Sequence, residues 1–143
     1  MFSQNLLLVQ VLDMFDFARF FDVAENLVRK GDEANVRSGI SRYYYSGFGP
    51  VRKYLIEEMN EIEFKRGFKI HKRIIDRLIF SKDNTEVSIG EKLIELKELR
   101  NNADYDWDLD LNYFNEHLND VQRKSEDIIK QVEALKNSPP YDL

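Results

Sequence analysis

The stretch LNYFNEHLNDVQRKSEDIIKQVEAL, from Leu111 to Leu135, decides the fold of this chain. Its apolar and small residues follow one another at alternating steps of three and four positions. They are Leu111, Phe114, Leu118, Val121, Ser125, Ile128, Val132 and Leu135. This spacing places them along one side of an α-helix, as a seam that packs lengthwise on neighbouring helices. The stretch predicts a C-terminal helix of about 38 Å, longer than a compact domain of this size needs.

Four more helices are predicted upstream of this seam. Apolar residues at helical spacing, bounded by glycine or polar breaks, indicate helices at residues 14–28, 32–63, 71–80 and 88–103. The second of these contains Gly47, Phe48, Gly49 and Pro50, and a proline inside a helix removes a hydrogen bond. We therefore expect a kink near Gly47 or a break into two helices. The fold class is all-α, a bundle of about five helices.

Length and composition limit the kinds of protein that this chain can be. The 143 residues fit a single domain, residues 1–143, with an N-terminal arm at 1–13 and a loose tail at 138–143. With no cysteine, the chain has no disulfide, thiolate metal site or cysteine nucleophile. We expect a cytoplasmic protein with no signal peptide, no membrane span and no cofactor. The net charge of -5 argues against nonspecific duplex binding by the whole surface, although a local basic groove is compatible with it.

The chemistry centres on LKELRNNADYDW, from Leu96 to Trp107. Arg100 and Asp104 are four positions apart, so their side chains are neighbours on one helix face. Tyr105 follows one position further round the helix. An intrahelical salt bridge followed by a helix stop is the structural alternative.

A second polar face lies in SRYYYSGF, from Ser41 to Phe48. Tyr44 follows the apolar stripe, whereas Arg42 and Tyr45 lie three positions apart on another face. We expect Arg42 and Tyr45 to point toward Arg100. The alternative is that the tyrosine rings pack and their hydroxyl groups reach solvent.

Three segments together resemble the bacterial and archaeal HEPN domains. SRYYYSGF followed by PVRKYL is similar to the family's Ser-Arg-x-Tyr-Tyr-x-x-Phe segment. HKRIIDRL, at 71–78, is similar to the family's His-Lys helix. LRNNADYD, at 99–106, is similar to the family's Leu-Arg-Asn-x-Ala-Asp-Tyr segment. The resemblance covers roughly residues 15–135. It implies a helical bundle that usually dimerises. In nuclease members, paired Arg and His motifs form a metal-independent RNA-cleaving site across the dimer, and many members are toxins or antiviral effectors encoded beside a nucleotidyltransferase.

The resemblance also implies site residues. Arg100 matches the family arginine and Asn101 the polar residue after it, but Asp104 and Tyr105 stand where the histidine is expected, and Gly49 stands where a histidine is common. The catalytic candidates are Arg100, Asp104 and Tyr105, and the substrate-binding candidates are Asn101, Arg42, Tyr45, His71 and Lys72. No metal site is expected.

The missing histidine bears directly on catalysis. Metal-free RNA cleavage needs a base for the 2′-hydroxyl proton, and histidine suits this because its pKa lies near neutrality. Aspartate and tyrosine fill the role poorly unless their pKa values are shifted. Arg100 can still hold a phosphate. The absence of the family histidine therefore affects phosphate or nucleotide binding less than it affects catalysis.

A basic cluster is the candidate footprint for an RNA backbone, with a solvated helix face as the alternative. It comprises Lys65, Arg66, Lys69, Lys72, Arg73 and Arg77. The leading hypothesis is an RNA-directed or nucleotide-binding HEPN-like module, or the ribonuclease toxin of a toxin-antitoxin or antiviral defence system. The alternative is a non-catalytic module that binds another protein. The expected partners are a second copy of the chain in a homodimer, RNA or a nucleotide, and a nucleotidyltransferase or other defence protein.

Overall fold

The computed structural model describes residues 15–138, so the predicted arm at 1–13 and all of the predicted tail except Ser138 lie outside the described residues. Five α-helices follow one another along the chain: α1 (Phe20–Arg29), α2 (Glu33–Glu57), α3 (Ile70–Ile79), α4 (Asn84–Tyr105) and α5 (Leu111–Asn137). Short 3-10 turns occur at Phe17–Arg19 and Ile62–Phe64. Residues 15–138 contain no strand. The all-α prediction with five helices is therefore confirmed, and α5 is the longest of them, at 27 residues.

Aspartate caps fix where three of the helices begin. The carboxylates of Asp32, Asp83 and Asp110 accept backbone N–H groups of residues 35, 86 and 113 at 3.3, 3.0 and 3.0 Å. Such caps satisfy donors that the first turn of a helix leaves unpaired. The cap at Asp83 explains why α4 begins at Asn84, four residues before the predicted start at Ser88.

Helix α2 lies at the centre of the bundle and packs against α1, α4 and α5. Glycines permit two of these close approaches. A Cβ added at Gly39 would meet the side chain of Val28 at 2.5 Å, and one at Gly47 would meet Ile128 at 3.2 Å. The helix continues through Pro50, so the predicted break is excluded. A bend near Gly47 stays a prediction.

The end of α2 differs from the sequence prediction. The helix stops at Glu57 rather than near Glu63, and Asn60 adopts a left-handed conformation with φ of 56°. The chain then folds back over α2, where Arg52 donates to the carbonyl oxygens of Phe64, at 2.8 Å, and Lys65. The turn therefore lies against α2, forming one side of the site described below. None of the helices in residues 15–138 combines the length and apolarity needed to cross a membrane.

Candidate functional site

The C-terminal end of α4, which carries the Arg100 motif, is held by Arg37 of α2. The guanidinium of Arg37 donates to the carbonyl oxygens of Asn102, Ala103, Asp106 and Leu109 at 3.4, 3.1, 2.8 and 2.6 Å. Carbonyl groups at a helix end lack partners within the helix. One partly buried arginine thus bonds to carbonyl groups at this helix end and in the loop that follows. The role of Arg37 was not predictable from the sequence, because no local pattern links it to residues 65 or more positions away.

Arg100 forms a half-buried polar cluster on the last turns of α4. Its Nη1 donates to the hydroxyl oxygen of Tyr45 at 3.1 Å and lies 3.6 Å from Asp104 Oδ2, and its Nη2 donates to Asn101 Oδ1 at 2.7 Å. The Arg100 side chain is 14% exposed. Its Nε is buried without a hydrogen-bond partner in the described part of the chain. The predictions that Arg100 and Asp104 share a face and that Tyr45 points toward them are confirmed.

His71 of α3 contacts the same two tyrosines. The Arg100 Cζ atom lies 5.4 and 5.6 Å from the ring centroids of Tyr44 and Tyr45. The His71 ring lies 5.7 and 5.9 Å from the same centroids, and its Nδ1 is 2.8 Å from the Tyr44 hydroxyl. His71 also stacks on Phe48 with a centroid separation of 4.1 Å. An arginine and a histidine from two different helices are thus gathered around one tyrosine pair.

The surroundings of His71 keep its imidazole uncharged at neutral pH. Burial, and then the positive charges of Arg100, Lys97 and Arg52, lower the pKa of His71 to about 4. Burial likewise raises the pKa of the Tyr44 hydroxyl, so this group stays protonated. The neutral imidazole offers a free electron pair at Nε2, as a general base requires, in the tautomer in which Nδ1–H donates to the Tyr44 hydroxyl oxygen, but its low pKa makes it a weak base.

A trough of about 400 Å³ begins at Tyr45 and His71 and runs along α2. Its lining combines aromatic rings with basic side chains: Phe15, Phe17, Tyr45, Phe48, Gly49, Arg52, Lys53, Ile56, Glu57, Lys65 and His71. The turn before α1 forms one wall, and α3 with the turn after α2 forms the other. A Cβ at Gly49 would clash with the side chain of Phe17. Glycine at this position therefore allows the aromatic wall to approach α2.

Three predicted site residues lie outside this cluster. Arg42 does not point toward Arg100: it is exposed, and its Cζ lies 4.9 Å from the ring centroid of Phe20. Residues three apart on a helix differ by about 60° in direction, which turns Arg42 toward α1 while Tyr45 faces α4. Tyr105 is 79% exposed. Lys72 Nζ pairs with Asp76 at 2.6 Å on the surface of α3.

The predicted basic cluster is divided by the fold. Arg77 pairs with Glu61 at 2.6 Å and with Glu86 at 2.7 Å, so it belongs to a structural network. Lys65, Arg66 and Lys69 are exposed around the turn before α3. The other histidine of the chain, His117, lies on α5 and packs on Tyr113 with a centroid separation of 4.6 Å. Only the part of the cluster near Lys65 borders the trough.

No protein-family model matches the chain, and neither the curated proteins nor the solved structures include a significant match. The resemblance to HEPN domains therefore rests on the three sequence motifs. The geometry around Arg100, His71 and the trough is what supports a function.

Proposed function

We propose that this chain is a HEPN-like module that binds RNA or a nucleotide, with a phosphate held at Arg100. The observation that carries the proposal is the convergence of Arg100 and His71 on Tyr44 and Tyr45, at one end of a trough with aromatic and basic walls. Arginine suits phosphate because its guanidinium offers a planar fork of donors. Aromatic rings beside it provide surfaces on which bases stack.

His71 extends the proposal toward RNA cleavage. The α4 motif lacks the histidine of nuclease members, and His71 supplies an uncharged imidazole beside the same tyrosines. In a metal-independent cleavage, the 2′-oxygen would attack the phosphorus and the P–O5′ bond would break. The imidazole would take the 2′-hydroxyl proton and then return it to the departing 5′-oxygen, while Arg100 stabilises the charge on the phosphorane. Asp104 is placed to orient Arg100 rather than to act as the base, because it is ion-paired with the guanidinium. A ribonuclease toxin or defence effector is the cellular role that fits this chemistry.

The decisive experiment measures stability and RNA activity on the same purified variant. A working site predicts that Arg100→Ala keeps the wild-type melting temperature and loses RNA binding or turnover. A purely structural cluster predicts a loss of about 2 kcal/mol of stability, because the half-buried Tyr45 hydroxyl and Asn101 side chain lose a charged hydrogen-bond donor. Arg123→Ala, which breaks an exposed pair with Asp120, is the matched control. Lost stability together with no RNA binding by the parent protein would overturn the proposal.

A protein-docking module is the second candidate function. The observation in its favour is the exposure of Tyr105 and Trp107, at 79% and 89%, at the end of the stretch from Leu96 to Trp107. Exposed aromatic side chains are frequent anchors of protein interfaces. We propose a second copy of the chain as the partner on this face, as the HEPN resemblance implies, with a nucleotidyltransferase or another defence protein as the alternative partner. Under this candidate, Trp107→Ala weakens association, and the parent protein shows no RNA binding.

A further inference from the structure

We propose that the trough beside Arg100 binds a single unpaired nucleotide, with its base between Phe17 and His71 and its phosphate near Lys53 and Lys65. This inference rests on the proposed function, because it assigns the class of ligand taken by the surface next to the phosphate-binding arginine. The nucleotide belongs either to a single RNA strand or to a free mononucleotide, and these two sources share the same chemistry.

The two walls present aromatic surface to one narrow space. Phe17 and Phe15 on one side meet edge to face at 5.0 Å and are partly exposed. On the opposite side, His71 lies parallel to Phe48, at 15°. His71 stays uncharged at neutral pH, so its ring stacks on a base as a neutral heterocycle. Base stacking on aromatic side chains is a common basis of single-strand binding without sequence preference.

The floor of the trough explains why the walls stand where they do. Phe17 lies directly over Gly49, where any Cβ would clash with it. Phe48 precedes Gly49 and carries His71 on an adjacent face of α2, because successive helix residues point about 100° apart. Phe17 occupies the space above Gly49, so the room for a flat ring is the trough itself, which both Phe17 and His71 line.

The charge of the trough favours an anion. Arg52, Lys53 and Lys65 line it, against one carboxylate, Glu57. Arg52 donates from its Nε and Nη2 to the carbonyl groups of the turn after α2, so part of its role is to hold this turn in place. Lys53 and Lys65 form no ion pair within residues 15–138 under the 4.0 Å limit for such pairs. These two lysines are the groups we assign to the phosphate. A protein of net charge -5 thus concentrates positive charge at this site.

Continuity with the Arg100 cluster favours a strand over a duplex. Tyr45 lines the trough and accepts the hydrogen bond of Arg100 Nη1. A phosphate at Arg100 and a base in the trough would therefore be neighbouring parts of one ligand. The volume of about 400 Å³ lies within the range of small-ligand sites. A paired base, stacked inside a duplex, presents no face to these walls.

The test uses fluorescence anisotropy with a labelled single-stranded oligoribonucleotide of about eight residues, the same strand annealed into a duplex, and AMP as competitor. We expect Phe17→Ala to weaken single-strand binding about five-fold or more. We expect Lys53→Ala to weaken it too, and to reduce the slope of log K against log salt by about 0.7, the value for one lost phosphate contact. Phe80→Ala and Lys130→Ala, at exposed sites outside the trough, are the matched controls. Melting temperatures of all variants are measured alongside.

The outcomes separate this inference from the proposed function. Competition by AMP identifies the free nucleotide as a ligand, and single-strand binding that AMP does not displace identifies the strand. If Arg100→Ala weakens RNA binding while Phe17→Ala and Lys53→Ala bind like the parent protein, the proposed function stands and the trough assignment is overturned. If the trough variants lose binding and Arg100→Ala does not, the trough assignment stands without the Arg100 site. A parent protein that binds neither RNA nor AMP overturns both.

Discussion

Glu86 is the one buried charged residue in residues 15–138, and its pairing determines how the fold responds to pH. It accepts hydrogen bonds from Arg77 at 2.7 Å, Ser81 at 2.6 Å and Tyr54 at 2.8 Å. Burial alone would raise the pKa of the Glu86 carboxyl, but these hydrogen bonds outweigh it and lower the pKa below its usual value. The stability that Glu86 contributes is therefore present above about pH 4.3 and is lost as the pH falls through the lower pKa of the folded state.

Arg77→Ala should reveal the strength of this network. Removing one partner of a buried ion pair leaves the other charge uncompensated, so we expect a loss of about 3 kcal/mol at neutral pH. The loss should shrink in acid, where a protonated Glu86 no longer needs the arginine. Urea unfolding of the parent protein and of Arg77→Ala, at neutral pH and in acid, measures the loss of stability under each condition. Arg123→Ala, whose pair with Asp120 is exposed, should cost about 1 kcal/mol or less, and equal losses from both variants would contradict the prediction.

His71 should make the protein less stable in weak acid. Its pKa is about 4 in the fold and about 6.5 in an unfolded chain. The unfolded state therefore binds more protons between these values, and stability falls as the pH drops from about 6.5 toward 4. We expect the melting temperature of His71→Gln to fall less between about pH 7 and pH 5 than that of the parent protein. An NMR titration of the His71 ring with a midpoint near neutrality would refute the assignment.

At the scale of the helices, Arg37 links α2 to the end of α4. Replacing it with methionine keeps much of the buried volume but leaves the carbonyl groups at the α4 end without their donor. We expect Arg37→Met to destabilise the fold by about 2 kcal/mol or more, because hydrogen bonds from a charged donor contribute about that much. Hydrogen exchange should rise at residues 102–110, while the middle of α5 stays protected. Arg123→Met is the control, and unchanged exchange at the α4 end would show that the loop is held by other contacts.

Local periodicity was enough to predict the helices but not their meeting points. The seam from Leu111 places α5 correctly because a helix stripe depends only on neighbouring residues. The predicted second helix overran the end of α2, since the apolar periodicity was followed past Asn60, a residue type that favours the left-handed conformation found there. The pair of Arg100 and Asp104 was predictable from i,i+4 spacing.

Contacts between distant elements account for what the sequence did not reveal. His71 meets Tyr44 across 27 positions, and no local spacing encodes that approach. The Phe17 wall of the trough depends on Gly49, which the sequence shows only as a glycine beside Pro50 near the expected kink. Both contacts follow from where the turn before α1 and the first residue after Ile70 in α3 meet α2, which is a property of the tertiary fold.

At the scale of the whole molecule, the surface after the Arg100 motif is the proposed contact between two copies. Trp107 is the single tryptophan of the chain and is 89% exposed in one copy, so its fluorescence reports directly on association. We expect sedimentation to give twice the 17.0 kDa of one chain at tens of micromolar, with tryptophan emission shifting to shorter wavelength as the dimer forms. Trp107→Ala should weaken the dimer about 30-fold, since central aromatic anchors contribute about 2 kcal/mol or more.

Phe80→Ala provides the control for this prediction. Phe80 is comparably exposed, at 83%, but follows α3 rather than the Arg100 motif, so its removal should leave the dimer intact if the contact lies where we place it. Equal weakening by both substitutions would indicate nonspecific apolar association. A single chain that stays monomeric at this concentration, with tryptophan emission independent of dilution, would contradict the dimer. The Arg100 site would then have to work from the residues of one copy, and His71 would be the histidine available to it.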